Sequence, residues 1–266
     1  MNGEPIQKWL QAVGVGSRNE VRLMLTQGRV TINGEVTRRF AQPVGVGAQV
    51  AVDGQPVVPG HERVVYLMNK PIKHLTTIED QEHGPGLGRY LPEGAPRVFP
   101  VGRLDFNTQG ALLWTNDGLL ARRILHPDWS LPKRYGIKIR GHLSPDDPGL
   151  ARMRAGMTVG KATYRPAVVE MGPQRTRATW IYVTITEGKN RQLRRMCAAC
   201  NYQIVKLRRE AVGPVALGEL NKRCVRRLED HEVEALEAAW LASRPLQAEE
   251  ALVDEAQEAA GVVVSD

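Results

Sequence analysis

The apolar positions at the start of the chain recur at helical spacing in two successive stretches. The first runs from Ile6 to Val13, with apolar residues at i, i+3, i+4 and i+7, and glycines end it. The second begins at Ser17, which precedes Glu20 by the three residues of a capping box, and stops at Gly28. The pattern therefore predicts two short helices.

The pattern changes to strand-like alternation after the second helix. Residues 30–32 alternate apolar and polar side chains, and the pair Asn33 and Gly34 that follows is typical of a hairpin turn. Residues 1–60 are thus expected to form a small α+β unit. Pro and Gly within residues 57–61 indicate a linker after it.

Beyond this linker the chain alternates strand-like apolar runs with turns and has few helical segments. The clearest runs are residues 64–68, 135–141 and 179–186. This order predicts a mixed, mainly antiparallel sheet with helices packed on it over residues 61–245, so the fold class of the whole chain is α+β. Residues 246–266 are acidic and rich in Ala, and we expect a disordered tail.

Size and composition suit a globular protein of the cytosol. The 266 residues are 42% hydrophobic, which is enough for a sizeable core, and they contain no apolar run of the roughly 18 residues that a membrane span needs. The N-terminus lacks the basic and apolar character of a signal peptide. Three cysteines are too few for a disulfide-stapled secreted domain. We therefore expect a cytoplasmic protein without membrane attachment.

The distribution of charge indicates a polyanionic partner. The formal net charge is +7, yet the last 21 residues hold six acidic residues and no Lys or Arg, so residues 1–245 carry +13. Residues 189–227 alone contain eleven Lys or Arg against Glu210 and Glu219. A solvated surface explains many single charge runs, but an excess of this size favours nucleic acid.

The densest chemical signal is the stretch VGRLDFNTQGALLWTNDG, residues 101–118. Between Arg103 and Thr108 neither the strand period nor the helix period is kept, and turn-forming residues surround Asp105. The sequence therefore predicts a loop that presents a carboxylate. From these residues alone, a turn or N-cap aspartate is the ordinary interpretation of Asp105.

Two parts of the chain resemble known families. The stretch GVGSRNEVRLMLTQGRVTINGEV resembles the S4 RNA-binding domain, of the αL type, over residues 4–55. The stretch GRLDFNTQGALLWTNDG is similar to the signature of the pseudouridine synthases of the RsuA/RluB/RluE/RluF group. Three more stretches resemble that family in the same order: YLMNKPIKHLTT, PKRYGIKIRG and EGKNRQLRRMCAACNYQIVKLRRE.

The resemblance implies an enzyme that isomerises a uridine of ribosomal RNA to pseudouridine without a cofactor or metal. In that family an Asp acts on the target nucleotide, and the match assigns this role to Asp105. The matching aromatic residue, which packs on the target uracil, is Tyr135. The match also places Leu207 in the uracil pocket, and we assign Arg103 and Leu104, beside the carboxylate, to the same pocket.

Ordinary core packing is the alternative for Tyr135 and Leu207. Tyr135 alternates with Ile137 and Ile139, which places its ring on the apolar face of a strand. A base that has left its stack needs an aromatic surface to replace the lost contacts. Since a ring in the wall of a pocket satisfies both conditions, the two interpretations of Tyr135 are compatible.

Helical geometry distinguishes three arginines of the basic segment. Apolar positions define its buried stripe, namely Leu193, Met196, Cys197 and Cys200. At about 100° per residue, Arg194 borders this stripe, whereas Arg191 and Arg195 point away from it. Only Arg194 is therefore expected to reach inward. The family match agrees, because it assigns to Arg194 the pairing with the catalytic Asp, which would keep Asp105 ionised.

Several cations are expected to contact the RNA backbone through charge neutralisation. These residues are Lys8, Arg18, Arg22, Arg29, Lys70, Lys133, Arg191 and Arg195. Surface solvation is the alternative for them. Cys197 and Cys200 belong to the buried stripe, and with one further cysteine in the chain we expect no metal site.

Short stretches bear on the target. RVFPVGRLD and NRQLRRMC resemble the large-subunit members of the family more than the small-subunit one, and this resemblance implies the 23S RNA as the target. The 16S RNA is one alternative, and a non-catalytic S4-type ribosome-assembly factor is another. The presence of Asp105, Tyr135 and Arg194 argues against the non-catalytic alternative. We expect a monomer whose partner is ribosomal RNA, either free or within an assembly intermediate.

Overall fold

The computed structural model describes residues 3–57, 62–126, 131–175 and 177–243. The α-helices in these ranges are α1 (Ile6–Ala12), α2 (Arg18–Thr26), α3 (Gly118–Leu125), α4 (Pro148–Ala155), α5 (Gln192–Ala199) and α6 (Asp230–Ala242). The strands are β1 (Glu4–Pro5), β2 (Val30–Ile32), β3 (Glu35–Val36), β4 (Pro43–Val44), β5 (Val50–Val52), β6 (Gln55–Pro56), β7 (Val65–Lys70), β8 (Phe99–Pro100), β9 (Gln109–Thr115), β10 (Lys133–Arg140), β11 (Met157–Val159), β12 (Ala162–Tyr164), β13 (Val168–Arg175), β14 (Ala178–Ile185), β15 (Ile204–Val212), β16 (Val215–Ala216) and β17 (Val225–Arg227). Most of the expected linker, residues 58–61, and the expected tail lie outside the described residues.

The two helices predicted at the N-terminus are confirmed, and local chemistry explains their ends. Ser17 caps α2 by accepting a hydrogen bond from the Glu20 N–H, while the Glu20 carboxylate accepts one from the Ser17 N–H. This is the reciprocal capping box expected from the spacing. Ile6 of α1 and Leu25 of α2 are fully buried against β2 and β5, whose sheet has the order β3-β2-β5-β6.

The hairpin between β2 and β3 is also confirmed. Asn33 and Gly34 have φ angles of 51° and 85°, the left-handed values that a two-residue turn between twisted strands requires. Asn and Gly tolerate these angles better than other residues, so the turn is encoded locally.

The larger part of the chain is built on one mixed sheet. Its strand order is β13-β14-β10-β15-β9-β7-β17, with β16 paired to β15 and β8 paired to β9. Among the described pairs of this sheet, β15 with β9 is parallel and the rest are antiparallel. The expected α+β class with a mainly antiparallel sheet is confirmed. Strand β7 extends beyond the predicted run of residues 64–68, because Asn69 and Lys70 also pair with β9.

Helices cover the two faces of this sheet unequally. On one face α4 and α5 pack over β10, β14 and β15 through Ile137, Ile181 and Leu207. On the opposite face α3 and α6 pack over β7 and β9 through Leu67 and Leu113. The loop that contains Asp105 lies on the first face, the one covered by α4 and α5. Its residue Leu104 packs against Met68, Leu112 and Trp114 on that side.

Within the ranges given above, no helix has the length and apolar character needed to cross a membrane.

Candidate active site

The loop between β8 and β9 presents Asp105 at the edge of the sheet. The Asp105 carbonyl accepts a hydrogen bond of 2.9 Å from the Thr108 N–H, which closes a turn. Just before it, the Thr76 hydroxyl donates to the Leu104 carbonyl at 2.8 Å and accepts from the Leu104 N–H at 3.2 Å. The predicted loop is therefore present, and neighbouring segments hold its backbone on both sides of Asp105. The carboxylate itself is 28% exposed.

Arg194 joins this loop to helix α5. Its Nε lies 3.3 Å from Oδ2 of Asp105, and its Nη2 donates to the Asn107 carbonyl at 2.8 Å and to the Thr108 hydroxyl at 3.1 Å. One planar guanidinium thus fixes the carboxylate and two further acceptors of the same loop. Helix α5 can place it there because Leu193, Met196 and Cys197 are buried on the adjacent face.

The orientation predicted for Arg191 is wrong. Its Nη1 lies 3.9 Å from Oδ2 of Asp105, so a second cation approaches the carboxylate. The helical projection does not apply to Arg191, because α5 begins at Gln192 and Arg191 precedes it in a left-handed conformation with φ of 49°. Arg195 does lie outward and exposed, with Nη2 donating to Asn190 Oδ1 at 3.2 Å.

Lys70 lies buried within the fold and not at the surface, where contact with the RNA backbone was expected. Its side chain is fully buried at the end of β7, where Nζ donates to the carbonyls of Pro71, Asp105 and Thr108 at 3.0, 3.2 and 3.0 Å. The predicted phosphate contact is therefore wrong. Burial lowers the pKa of Lys70 to about 8, the Asp105 carboxylate opposes this shift, and the Arg209 guanidinium adds to it.

Lys133 is likewise turned inward. Its Nζ donates to the Leu131 carbonyl at 2.9 Å, and burial, with a smaller contribution from Arg209, lowers its pKa to about 8. Unlike Lys70, Lys133 keeps part of its surface exposed at the start of β10, so its expected contact with the RNA backbone stays a prediction.

The sequence interpretation missed Arg209 as a component of this region. Its side chain is 5% exposed, and its Nε donates to the Ala111 carbonyl at 2.6 Å in the neighbouring parallel strand. A signal was present, because Arg209 follows Leu207 at the two-residue spacing that places both on the inward face of β15. Thr76 was missed too, although it lies within the stretch YLMNKPIKHLTT that resembles the family.

The proposed pocket residues are not equally accessible. Tyr135 is half-buried and packs between the apolar clusters on the catalytic face, where Arg103 is exposed. Leu104 and Leu207 are 6% and 5% exposed. Core packing, the alternative left open for Leu207, accounts for both leucine side chains.

The expected cations of the N-terminal unit lie on its surface. Lys8, Arg18, Arg22 and Arg29 are all exposed. Arg22 lies over the Phe40 ring, 5.5 Å from its centroid, and Arg29 forms an ion pair with Asp53. Their exposure allows contact with a large partner. Arg29 differs from the others because its guanidinium already pairs with the Asp53 carboxylate.

No group of His, Cys, Asp and Glu side chains in the described ranges has the arrangement of a metal site. Burial raises the pKa of the Cys197 thiol to about 12, so it remains protonated at neutral pH.

Comparison with known proteins defines the class. Residues 64–199 match the RNA pseudouridylate synthase family and residues 4–50 match the S4 domain. A solved structure described as a pseudouridylate synthase has the same fold, with a TM-score of 0.61 and 24% identity over 88% of this chain and all of that one. The chain belongs to the RNA pseudouridylate synthase family and is an enzyme that isomerises uridine in RNA.

Two relatives show how far the similarity extends. The chain is 36% identical to an RNA pseudouridine synthase of Aquifex aeolicus (strain VF5), over 87% of this chain and 92% of that one. It is 31% identical to the ribosomal large subunit pseudouridine synthase B of Bacillus subtilis (strain 168), over 88% and 96%. The recognition made from the sequence motifs, an S4 domain followed by a pseudouridine synthase, is confirmed.

Proposed function

We propose that this enzyme modifies a specific uridine in the 23S RNA of the large ribosomal subunit. The proposal is supported by the similarity to the Bacillus subtilis large-subunit enzyme along nearly the full length of both chains. The excess of positive charge outside the last 21 residues suits a folded polyanionic substrate.

Asp105 is the catalytic carboxylate of this proposal. The observation that carries it is that Arg194 donates hydrogen bonds to one Asp105 oxygen and to two further acceptors of the same loop. The guanidinium orients the carboxylate and complements its negative charge, as attack on the nucleotide or proton removal from it requires. The carboxylate remains partly exposed, so a substrate can reach it.

Tyr135 supplies the surface for the displaced base. Its half-buried ring lies on the same face of the sheet as α5 and the Asp105 loop. Extruding a nucleotide costs about a few kcal/mol, and stacking on an aromatic side chain together with backbone contacts would offset that cost. Arg191, close to the Asp105 carboxylate yet exposed, is suited to a phosphate of the flipped nucleotide.

In the same proposal the two parts of the chain have different roles. We assign residues 1–60 to RNA binding through Lys8, Arg18, Arg22 and Arg29, and residues 61–245 to catalysis. The enzyme acts as a monomer in the cytoplasm and requires no cofactor, because the rearrangement neither consumes energy nor changes the oxidation state of the substrate.

The test is to map pseudouridine in ribosomal RNA from cells that lack this protein. One site in the 23S RNA should be absent, should return when the wild-type gene is restored, and should stay absent with Asp105→Asn. Asp146→Asn, at an exposed loop aspartate, is the matched control and should restore it. A lost site in 16S RNA would transfer the proposal to the small subunit. An unchanged map, or full restoration by Asp105→Asn, would leave the non-catalytic assembly factor as the function.

A further inference from the structure

Among the residues that the structure describes, no helix covers the face of the main sheet opposite Asp105 over β10, β13, β14 and β15, which is called the open sheet face below. Alternate residues of these strands point away from α4 and α5, and the register aligns them in rows. Lys138 lies between Trp180 of β14 and Lys206 of β15. In the next row Gly136 lies between Tyr182 and Arg208. Helices α3 and α6 cover the β7 and β9 part of this face, so the rows remain at the surface.

Two glycines allow the aromatic rings to lie against the sheet. A Cβ at Gly136 would stand 2.6 Å from the Glu210 carboxylate and 3.4 Å from the Trp180 ring, and one at Gly172 would stand 2.9 Å from the Tyr182 ring. The rings, together with the Glu210 carboxylate, therefore occupy the space above the glycines, with the strand backbone beneath them. Such aromatic coverage of glycine is a known way of stabilising an exposed sheet surface.

Cations lie over the outer sides of these rings. Lys206 Nζ is 5.7 Å from the centroid of Trp180, and the Arg134 guanidinium is 4.8 Å from the centroid of Tyr182. The rings fix the cations in place, because a cation over an aromatic face is attracted to its electrons. The side chains are held at the surface and not left to move freely.

The surface carries more positive charge than it neutralises. Arg134 forms an ion pair with Glu170, and Arg208 forms one with Glu210. Around Lys206 the nearby charges are mostly positive: burial lowers its pKa, Lys222, Arg208 and Lys138 add to the effect, and Glu210 opposes it. Crowded cations gain the most from a polyanion, because each phosphate relieves several repulsions.

We propose that this open sheet face, defined by Arg134, Lys138, Trp180, Tyr182, Lys206 and Arg208, binds the sugar–phosphate backbone of the substrate RNA away from the target uridine. It is the chemistry of sequence-independent RNA binding: fixed cations spaced along a surface with aromatic side chains between them. The inference rests on the proposed ribosomal RNA substrate, since only an RNA with several helices can reach both faces of the sheet.

The proposal predicts that long and short RNAs respond differently to loss of charge on this face. The test compares the wild-type protein with Lys138→Gln/Lys206→Gln, using a protein-free 23S RNA transcript and a short hairpin that carries the mapped uridine. Affinity for the transcript should fall about tenfold near 0.1 M salt, and the slope of log K against log salt should become smaller by about 1.5. Affinity for the hairpin and its rate of modification should not change.

Two matched variants separate location from total charge. Arg152→Gln/Lys161→Gln removes two cations elsewhere, both of them exposed, and should bind the transcript like the wild type. Lys138→Arg/Lys206→Arg keeps the charge and should retain binding. Equal transcript affinity of the wild type and Lys138→Gln/Lys206→Gln would overturn the proposal and favour a protein partner for this face. Equal losses in both Gln variants would also overturn it. Binding is measured without turnover, so a failure of the proposed 23S target would be seen separately, as an unchanged pseudouridine map.

Discussion

At the scale of single residues, the surroundings of Asp105 decide what its carboxylate can do. The side chain is partly exposed, one of its oxygens faces two arginines, and its backbone carbonyl is held by a buried ammonium. An aspartate in an ordinary surface turn has none of these neighbours. The difference is a matter of long-range contacts, since Lys70 and Arg194 are 35 and 89 residues away along the chain.

The first prediction concerns the shape of the Arg194 side chain. Arg194→Lys keeps the positive charge but loses the fork that bridges Asp105, Asn107 and Thr108. A hydrogen bond to a charged group is worth about 1.5–3 kcal/mol, which corresponds to a loss of roughly 10- to 100-fold in kcat. KM should change little, because the contacts hold the enzyme's own loop. Single-turnover rates would measure the effect, with the exposed neighbour Arg195→Lys as control. A variant with the wild-type kcat would show that charge alone suffices.

The second prediction is a dependence of stability on pH that originates at Lys70. Its pKa in the folded protein, about 8, is below the ordinary value of 10.5. Between these values the unfolded chain binds more protons than the folded one, so the free energy of unfolding rises with pH there. Below pH 8 both states are protonated and this contribution is constant.

The comparison that isolates this effect is wild type against Lys70→Met, by urea unfolding from pH 7.5 to pH 10. The wild type should gain about 1–3 kcal/mol relative to the variant across the window. Lys133, whose pKa is shifted in the same direction, is present in both proteins and cancels. Parallel curves for the two proteins would exclude Lys70 as the source.

At the scale of elements, the junction of β9 and β15 positions the site. The two strands are parallel, and Gly110 pairs with Arg209 at the start of β9, just after the Asp105 loop. Gly110 has φ of 111°, and a Cβ there would stand 2.2 Å from the Arg209 carbonyl. Only glycine allows this close approach, which brings α5 and β15 to the loop.

The third prediction follows from that contact. Gly110→Ala should destabilise the protein by more than about 2 kcal/mol, because both the backbone angle and the space exclude a methyl group. Gly118→Ala is the matched control: nothing lies within 4 Å of its Cβ, and it is the first residue of α3. It should be neutral or stabilise by up to about 1 kcal/mol. Denaturant unfolding measures both, and equal stabilities would refute the close contact.

The fourth prediction concerns the cap of α2. Ser17→Ala should lower the free energy of unfolding by about 1 kcal/mol, since it removes the acceptor of the Glu20 N–H. Glu20 also forms an ion pair with Arg97 of the larger part of the chain. That pair is half-exposed, so Arg97→Ala should cost about 0.2–1 kcal/mol. Thermal unfolding of the two variants would rank the effects, and a larger loss for Arg97→Ala would contradict this order.

At the scale of the whole molecule, charge is distributed for one kind of partner. Cations are exposed on the N-terminal unit and beside Asp105, and half-buried on the open sheet face, so a large RNA can meet several of them at once. The helices and the apolar clusters hold these charged surfaces in position by packing beneath them. Binding should therefore be dominated by the release of counterions.

The fifth prediction is a steep dependence of RNA affinity on salt. With six to ten phosphates neutralised, affinity for the 23S transcript should fall by about 10³- to 10⁵-fold between roughly 50 and 200 mM salt. The hairpin, which touches fewer cations, should show a smaller slope. Filter binding at several salt concentrations measures both. Equal slopes for the two RNAs would mean that only the region around Asp105 contacts RNA.

Sequence alone determined what depends on near neighbours in the chain. The capping box of Ser17 and Glu20, the Asn33-Gly34 turn and the strands around Tyr135 follow from spacing within a few residues, which is why these predictions were confirmed. The loop around Asp105 was recognised in the same way. The long signature then identified the family, because its residues are fixed by a shared reaction.

Tertiary structure decided which side chains meet. Lys70 was expected at the surface, yet pairing of β7 within the sheet buries it. Arg191 approaches Asp105 because it precedes α5, which begins at Gln192. The burial of Arg209 and the open sheet face depend on strand order, which joins segments far apart in the chain. Local spacing fixes the direction of a side chain on its own element, whereas its neighbours across the sheet are set by packing of the whole chain.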